Sequence, residues 1–293
     1  MTPEAFIMKP FLHENDDEHD DDKPVGRVLS RREVLGLLGG AGAAFISAPT
    51  LARLGFLQQL TPTPTPAAAT CVARPQLTEG PYFVENMLNR SDIRTNSADD
   101  ALSEGKRLRL VFKVTELNQA ACVPIEGAQV DVWHCDAAGV YSGVEDPGFN
   151  TQASDFLRGY QLTDETGAAQ FITIVPGWYS GRAVHIHFKI RTDPQAEAGY
   201  EFTSQLFFDP EMIETIYQEA PYAAKGLADT PNSRDNIYRQ AGEQLVLTLE
   251  PEEAYEDEDV PGYVAVFDIA LDLSDTSSSA QPTAPGGRPG GRP

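Results

Sequence analysis

Two histidines one residue apart, His185 and His187, stand in the run Val184-His185-Ile186-His187-Phe188. Side chains alternate faces along an extended strand, so both imidazoles point one way and Ile186 and Phe188 the other. Imidazoles roughly 7 Å apart along one strand can converge on a single metal ion. Two hydrogen-bonded core histidines would give the same pattern, so the pair needs partners before it means chemistry. His134 is the one other histidine between residues 71 and 273, and it lies on a different run. A three-histidine site would have to recruit it, and no carboxylate stands at the usual offset for a two-histidine, one-carboxylate iron(II) site. Tyrosines are better placed. Tyr179 lies six residues before His185, in the turn Pro176-Gly177-Trp178-Tyr179, and Tyr141 follows Ala137-Ala138-Gly139. A phenolate is a hard anionic oxygen donor that favours iron(III) over iron(II), zinc or copper(I). Two phenolates and two imidazoles balance two of three metal charges and leave room for one more anion.

Such donors need rigid elements behind them. Leu108, Leu110, Phe112 and Val114 alternate with Arg107, Arg109 and Lys113, and Val130, Val132 and His134 alternate with Asp131, Trp133 and Cys135. Residues 202–208, 244–249 and 263–271 behave similarly. Period-two alternation predicts strands with one buried face. Asp164-Glu165-Thr166-Gly167 and Pro176-Gly177 are turn signals between them. One helix is expected after Asp209, which can cap it, with Pro210 in its first turn and Ile213, Ile216 and Tyr217 on one face. The expected fold is all-β, an antiparallel β-sandwich with one short helix and disordered termini.

The chain divides by composition. Residues 1–60 form a leader in which Ser30-Arg31-Arg32-Glu33-Val34-Leu35 opens a Gly- and Ala-rich apolar stretch. This resembles a twin-arginine export signal, with cleavage near Thr50-Leu51-Ala52, although Gly36 stands where the final basic residue is usual and the leader is long and acidic. The export machinery is then a partner, and an uncleaved membrane anchor is the alternative. Residues 61–70 are a Thr/Pro/Ala linker, 71–273 the folded domain, and 274–293 a disordered Ser/Thr/Pro/Gly tail. The formal net charge of -22 includes acidic runs at 14–22 and 250–259, which read as solvated loops or tails. A chain this acidic, with no basic stripe, argues against nucleic acid as a partner and against docking on anionic lipid. Cys71, Cys122 and Cys135 allow one disulfide and leave one thiol, with three pairings open.

Four segments carry a specific resemblance. Residues 78–82 (TEGPY), 133–141 (WHCDAAGVY), 158–167 (beginning Arg158-Gly159) and 176–188 (PGWYSGRAVHIHF) resemble, in order, the intradiol ring-cleaving dioxygenases, the family of catechol 1,2- and protocatechuate 3,4-dioxygenases. The likeness spans nearly all of 71–273. It implies non-haem Fe(III) held by Tyr141 and His185 as equatorial and Tyr179 and His187 as axial ligands, with dioxygen as co-substrate. It implies Arg182 beside a small-molecule catechol, Tyr179 as a base, and Gln205 behind the ligands. Pro81 and Tyr82 would line the pocket or simply pack. The implied reaction cleaves a catechol-type ring between its two hydroxylated carbons to a muconic acid-type product. The chain departs from the better-known branches, since 71–105 is too short for the helical dimerisation region of catechol 1,2-dioxygenases and nothing requires a partner subunit. It looks more like a secreted, single-domain branch. The competing reading is an exported protein that binds catechols or ferric catecholates without turnover.

Overall fold

The computed structural model describes residues 71–118, 121–194, 199–255 and 261–274. The expected export signal, the linker and the tail beyond Ser274 lie outside these residues. Twelve strands follow in chain order: β1 (Arg107–Asn118), β2 (Ala121–Pro124), β3 (Gln129–Trp133), β4 (Glu145–Asp146), β5 (Phe149–Asn150), β6 (Arg158–Leu162), β7 (Ala168–Ile174), β8 (His185–Arg191), β9 (Glu201–Phe208), β10 (Val246–Leu247), β11 (Glu250–Glu252) and β12 (Gly262–Leu271). They form two five-stranded sheets and a hairpin. In the first sheet β1 is central, with β12 and then β11 on one side and β7 and β2 sharing the other. The second runs β10-β9-β8-β3-β6, and β4 pairs with β5. Most pairs are antiparallel, as expected. The pairs β1·β12 and β10·β9 are parallel, because the chain reaches β12 and β10 by long connections rather than hairpins.

The sheets bury their facing sides against each other. Phe112 packs on Phe171, Phe188 and Phe267 with ring centroids 6.1, 5.2 and 5.8 Å away. Leu108, Leu110 and Val114 of β1 meet Val130 and Val132 of β3 and Ile186 and Ile190 of β8 in one core. Each such side chain contributes about 1.5–3 kcal/mol by leaving water. The alternation along β1 is thus borne out. Along β3 the expectation of one buried face fails, because both faces are buried, as they also are along β8. The outer face carries Trp133, His185, His187 and Lys189, and the segment after Cys71 folds over it. Leu77 N–H donates to Thr203 O at 3.1 Å, Lys189 pairs with Glu79, and Phe83 packs edge-on to Trp133 at 4.9 Å.

Two further expectations change. Of 244–249 only Val246–Leu247 is strand, since a 3-10 turn at Gly242–Leu245 precedes it. The acidic run at 250–259 is not all solvated: its start is β11, where Glu252 bonds to both Arg107 at 2.6 Å and Arg109 at 2.8 Å.

Helix α1 (Pro210–Ile216) forms where expected. Asp209 Oδ1 accepts from the N–H groups of Glu211 and Met212, and Ile213 and Ile216 are buried. A second short helix, α2 (Tyr238–Ala241), was not foreseen. No helix among the described residues is long and apolar enough to cross a membrane. Cys71 and Cys122 form a disulfide and Cys135 is a buried free thiol, which settles the pairing. The bond joins residues 51 apart in sequence. Replacing both by serine is expected to cost about 4 kcal/mol of unfolding free energy, read from denaturant curves. Equal stability would mean that the bond contributes nothing to the purified protein.

Candidate metal centre

Three neighbouring strands build the floor of the site. On β3, β8 and β9, Trp133, His187 and Gln205 stand side by side in register on the outer face. Trp133 stacks on His187 at 5.0 Å with the planes only 10° apart. Gly80 also lies close to the ring, because a methyl group added there would stand 3.1 Å from His187 Cε1. The ring is therefore packed against both Trp133 and Gly80.

Two loops bring the tyrosines. In the Tyr141 loop, Asp136 Oδ1 accepts from the N–H groups of Ala138 and Val140 at 2.9 and 2.8 Å. Gly139, at φ +83, lies with its Cα against Trp178 O, where any side chain would collide. Gly177 likewise abuts Ala137 O. The two tyrosine-bearing loops thus touch backbone to backbone, and Lys225 Nζ donates to Ala138 O at 2.7 Å and Trp178 O at 2.5 Å. Tyr217, which follows α1, and Tyr222 hold the second loop from below, donating to Pro176 O at 2.7 Å and Val175 O at 2.6 Å. Arg158 of β6 supports the first. Its guanidinium donates to Ser142 O at 2.9 and 2.6 Å and to Tyr82 O at 2.7 Å. Burial lowers its pKa to about 10.

The result is a convergence on one nitrogen. His185 Nε2 lies 3.1 Å from His187 Nε2, 3.2 Å from the Tyr179 hydroxyl and 3.4 Å from that of Tyr141. His185 Nδ1 is 2.6 Å from Ala183 O. A carbonyl only accepts, so Nδ1 carries the proton and Nε2 presents a lone pair to the cluster. Burial pushes the His185 pKa down to about 3 and that of His187 well down, and it pushes both phenols up. All four are therefore neutral at pH 7 when only each other is present. Donor atoms this close together can all lie about 2 Å from one central ion. Two phenols that become anionic beside two neutral imidazoles suit a hard trivalent cation such as iron(III). His187 Nδ1 is buried with no hydrogen-bond partner, and its Nε2 faces the cluster, 3.1 Å from His185 Nε2. Among the described residues, no group of three or more His, Cys, Asp or Glu could hold a metal. The structure brings Tyr141, Tyr179, His185 and His187 together, and the chemistry of these four side chains fits a hard trivalent cation.

Arg182 and Gln205 stand beside it. Arg182 is buried, its NH2 donates to Gln205 Oε1 at 2.5 Å, and Gln205 Nε2 donates to Thr78 O at 2.9 Å. Tyr82 stacks on Tyr141 at 4.5 Å, stands edge-on to Tyr179 at 6.4 Å and donates to Asp146 at 2.8 Å. His134 does not join the cluster. Its Nδ1–H donates to Cys135 O at 2.8 Å and its Nε2 accepts from Thr173 at 2.6 Å. Sequence reasoning missed Lys225 and Asp235 altogether, and it saw Gly80 only within the 78–82 segment. Each belongs to a contact between distant segments that no local spacing announces. Arg158 was visible only as part of a motif.

The histidines set an acid limit. Burial pushes His134 from 6.5 to about 4, so the folded state resists a proton that the unfolded chain accepts. Stability of the metal-free protein is expected to fall as pH drops from about 6.5 to about 4, by about 3 kcal/mol for this residue. Urea melts at pH 7 and pH 4 measure it, and equal stability at both would contradict a neutral buried His134.

Comparison with known proteins follows this geometry. The model of the family described as Dioxygenase matches residues 78–272, well over half of the chain. Chlorocatechol 1,2-dioxygenase of Pseudomonas putida is 28% identical over 151 residues, covering 45% of this chain and 52% of that protein. The chain thus spans about half the length of the curated relatives it matches. The structure of an intradiol ring-cleavage dioxygenase from Tetranychus urticae aligns with a TM-score of 0.57 at 29% identity, covering 69% of this chain and 96% of that one. Catechol 1,2 dioxygenase of Acinetobacter radioresistens aligns at 0.50 and 18% identity over 74% of this chain and 68% of that one, a likeness of fold. With the family's pattern running through both sheets and both tyrosine loops, the chain belongs to the intradiol ring-cleavage dioxygenases.

Proposed function

We propose that this chain is an exported non-haem iron(III) enzyme that opens catechol-type rings between the two hydroxylated carbons, using dioxygen and releasing muconic acid-type products. The observation that carries this reading is the meeting of Tyr141, Tyr179 and His187 around His185 Nε2 at 3.1–3.4 Å, with Arg182 and Gln205 alongside. Those four side chains would hold the iron. When bound, iron(III) supplies a Lewis acid that favours the deprotonated diol and draws electron density from the ring. The protein's own residues do the rest. Tyr179, partly buried at the rim, takes a catechol proton on its phenolate oxygen and becomes the neutral phenol. Tyr141 and the two imidazoles are fully buried and stay in place. Arg182 stabilises negative charge that develops on the substrate. Tyr82 provides an aromatic wall against Tyr141. Covered on both faces, the strand pair β3·β8 keeps bulk water away from these groups.

Export is supported by the Cys71–Cys122 bond, since such bonds persist in oxidising compartments. The paired arginines Arg31 and Arg32 point the same way. The division into leader, linker, domain and tail is proposed on the same grounds.

The test is to purify the full chain, load it with ferric ion and add catechol under air. A visible tyrosinate-to-iron band, about one iron per chain and a growing muconate absorbance are the expected results. A coloured protein that binds catechol but leaves every ring intact would make it a binder. An iron-free protein that resists reconstitution would end the reading. Gly80→Ala is a finer check. Its φ is +73 and its new methyl would press on His187, so iron retention against a chelator is expected to fall about tenfold. Unchanged retention would mean that His187 can shift without loss and is not a tight ligand.

A further inference from the structure

Asp235 is the only carboxylate among the described residues that is fully buried. It follows the 3-10 turn Asn232–Arg234 and precedes α2. Burying a carboxylate costs several kcal/mol unless every lone pair is engaged. Here four donors engage it. Oδ2 accepts from Arg182 Nε at 3.0 Å and Ala183 N at 2.7 Å, and Oδ1 accepts from Ile237 N at 2.7 Å and Tyr238 N at 3.0 Å. One oxygen thus grips the Arg182–Ala183 pair and the other grips α2. Beyond Ala183 the contact continues, because Ala183 O receives the Nδ1–H of His185. The guanidinium is pinned at two points, Nε on Asp235 and NH2 on Gln205.

A buried ion pair is a poor stability device, since apolar residues of the same volume usually serve as well or better. Its value must lie elsewhere, and the surroundings say where. Arg182 shares a dry pocket with four donors suited to a cation, and an uncompensated guanidinium would repel that cation. Burial pushes the Asp235 carboxyl up, but Arg182 and the amides of Ala183 and Tyr238 outweigh it and hold it below its ordinary value.

We propose that Asp235 is the positioning residue of this site: it fixes the orientation of Arg182 and offsets its charge, so that a cation and an arginine can work in one pocket. The inference rests on the proposed role of Arg182. It is tested with the full iron-loaded chain as wild type, Asp235→Asn, Arg182→Gln and the double variant, measuring kcat, catechol affinity by calorimetry, and iron retention. Asp235→Asn alone is expected to lower kcat about 30-fold. In the Arg182→Gln background the same change is expected to alter kcat and catechol affinity by less than about threefold. Losses that multiply, or a wild-type kcat in Asp235→Asn, would overturn it. If Asp235→Asn does not fold, Asp235→Glu keeps the charge but lengthens the arm, and it should retain iron while losing kcat about tenfold. Wild-type kcat there would equally overturn the proposal. A wild-type chain that binds catechol without turnover would sink the proposed function alone, and the cycle in catechol affinity would still decide on Asp235.

Discussion

His187→Ala is expected to strip the protein of iron, weakening retention by more than about 100-fold. The ring is 1% exposed and packed against Trp133 and Gly80, with its Nε2 3.1 Å from that of His185. Among the described residues, no cluster of three or more His, Cys, Asp or Glu offers the ion another site. Tyr179→Phe should behave differently. Tyr179 comes from a turn at the pocket's rim, so its loss leaves three donors in place. Iron is expected to remain near one per chain, while part of the visible band disappears and kcat falls about 100-fold or more. Iron analysis, the visible spectrum and turnover on the two purified variants separate these outcomes. Full iron and full turnover in both would show that the ligand set is wrong.

Arg182→Met should leave the iron but remove the chemistry. The guanidinium is held by Asp235 and Gln205 at the edge of the donor cluster. Losing a preorganised cation where negative charge develops typically costs about 100- to 1,000-fold in kcat. Asp235 would also be left buried and without its counter-charge, a change expected to cost about 3–5 kcal/mol of folding free energy. The two effects are read separately, kcat from steady-state assays on iron-loaded protein and stability from urea melts. A variant with wild-type kcat would remove Arg182 from the reaction. Undiminished stability would mean that Asp235 finds another partner or takes up a proton.

Much of the protein was legible before any coordinates. Alternation along 107–114 gave β1 because a strand with one covered face must place apolar side chains at every second position. Asp209-Pro210 gave the start of α1, because a capping carboxylate and a residue lacking an N–H both suit a helix's first turn. The four donors were named from residue type and spacing with the family resemblance, and the fold brings all four together. Local pattern failed where burial comes from afar. The 130–135 run read as a strand with one buried face, yet the stretch after Cys71 covers its outer face too. The acidic start at Glu250 read as a solvated loop, yet Glu252 anchors Arg107 and Arg109.

The sequence by itself determined which chemistry is available. Tyr141, Tyr179, His185 and His187 are the right donors for a hard cation, and the alternation around them calls for a sheet to carry them. Only the tertiary structure decided how that chemistry is held. Gly80 against His187, Gly139 and Gly177 between the tyrosine loops, Lys225 across both, and Asp235 behind Arg182 are contacts between residues tens of positions apart. Periodicity records which face of an element is covered. It does not record what covers it, because that follows from the path of the whole chain.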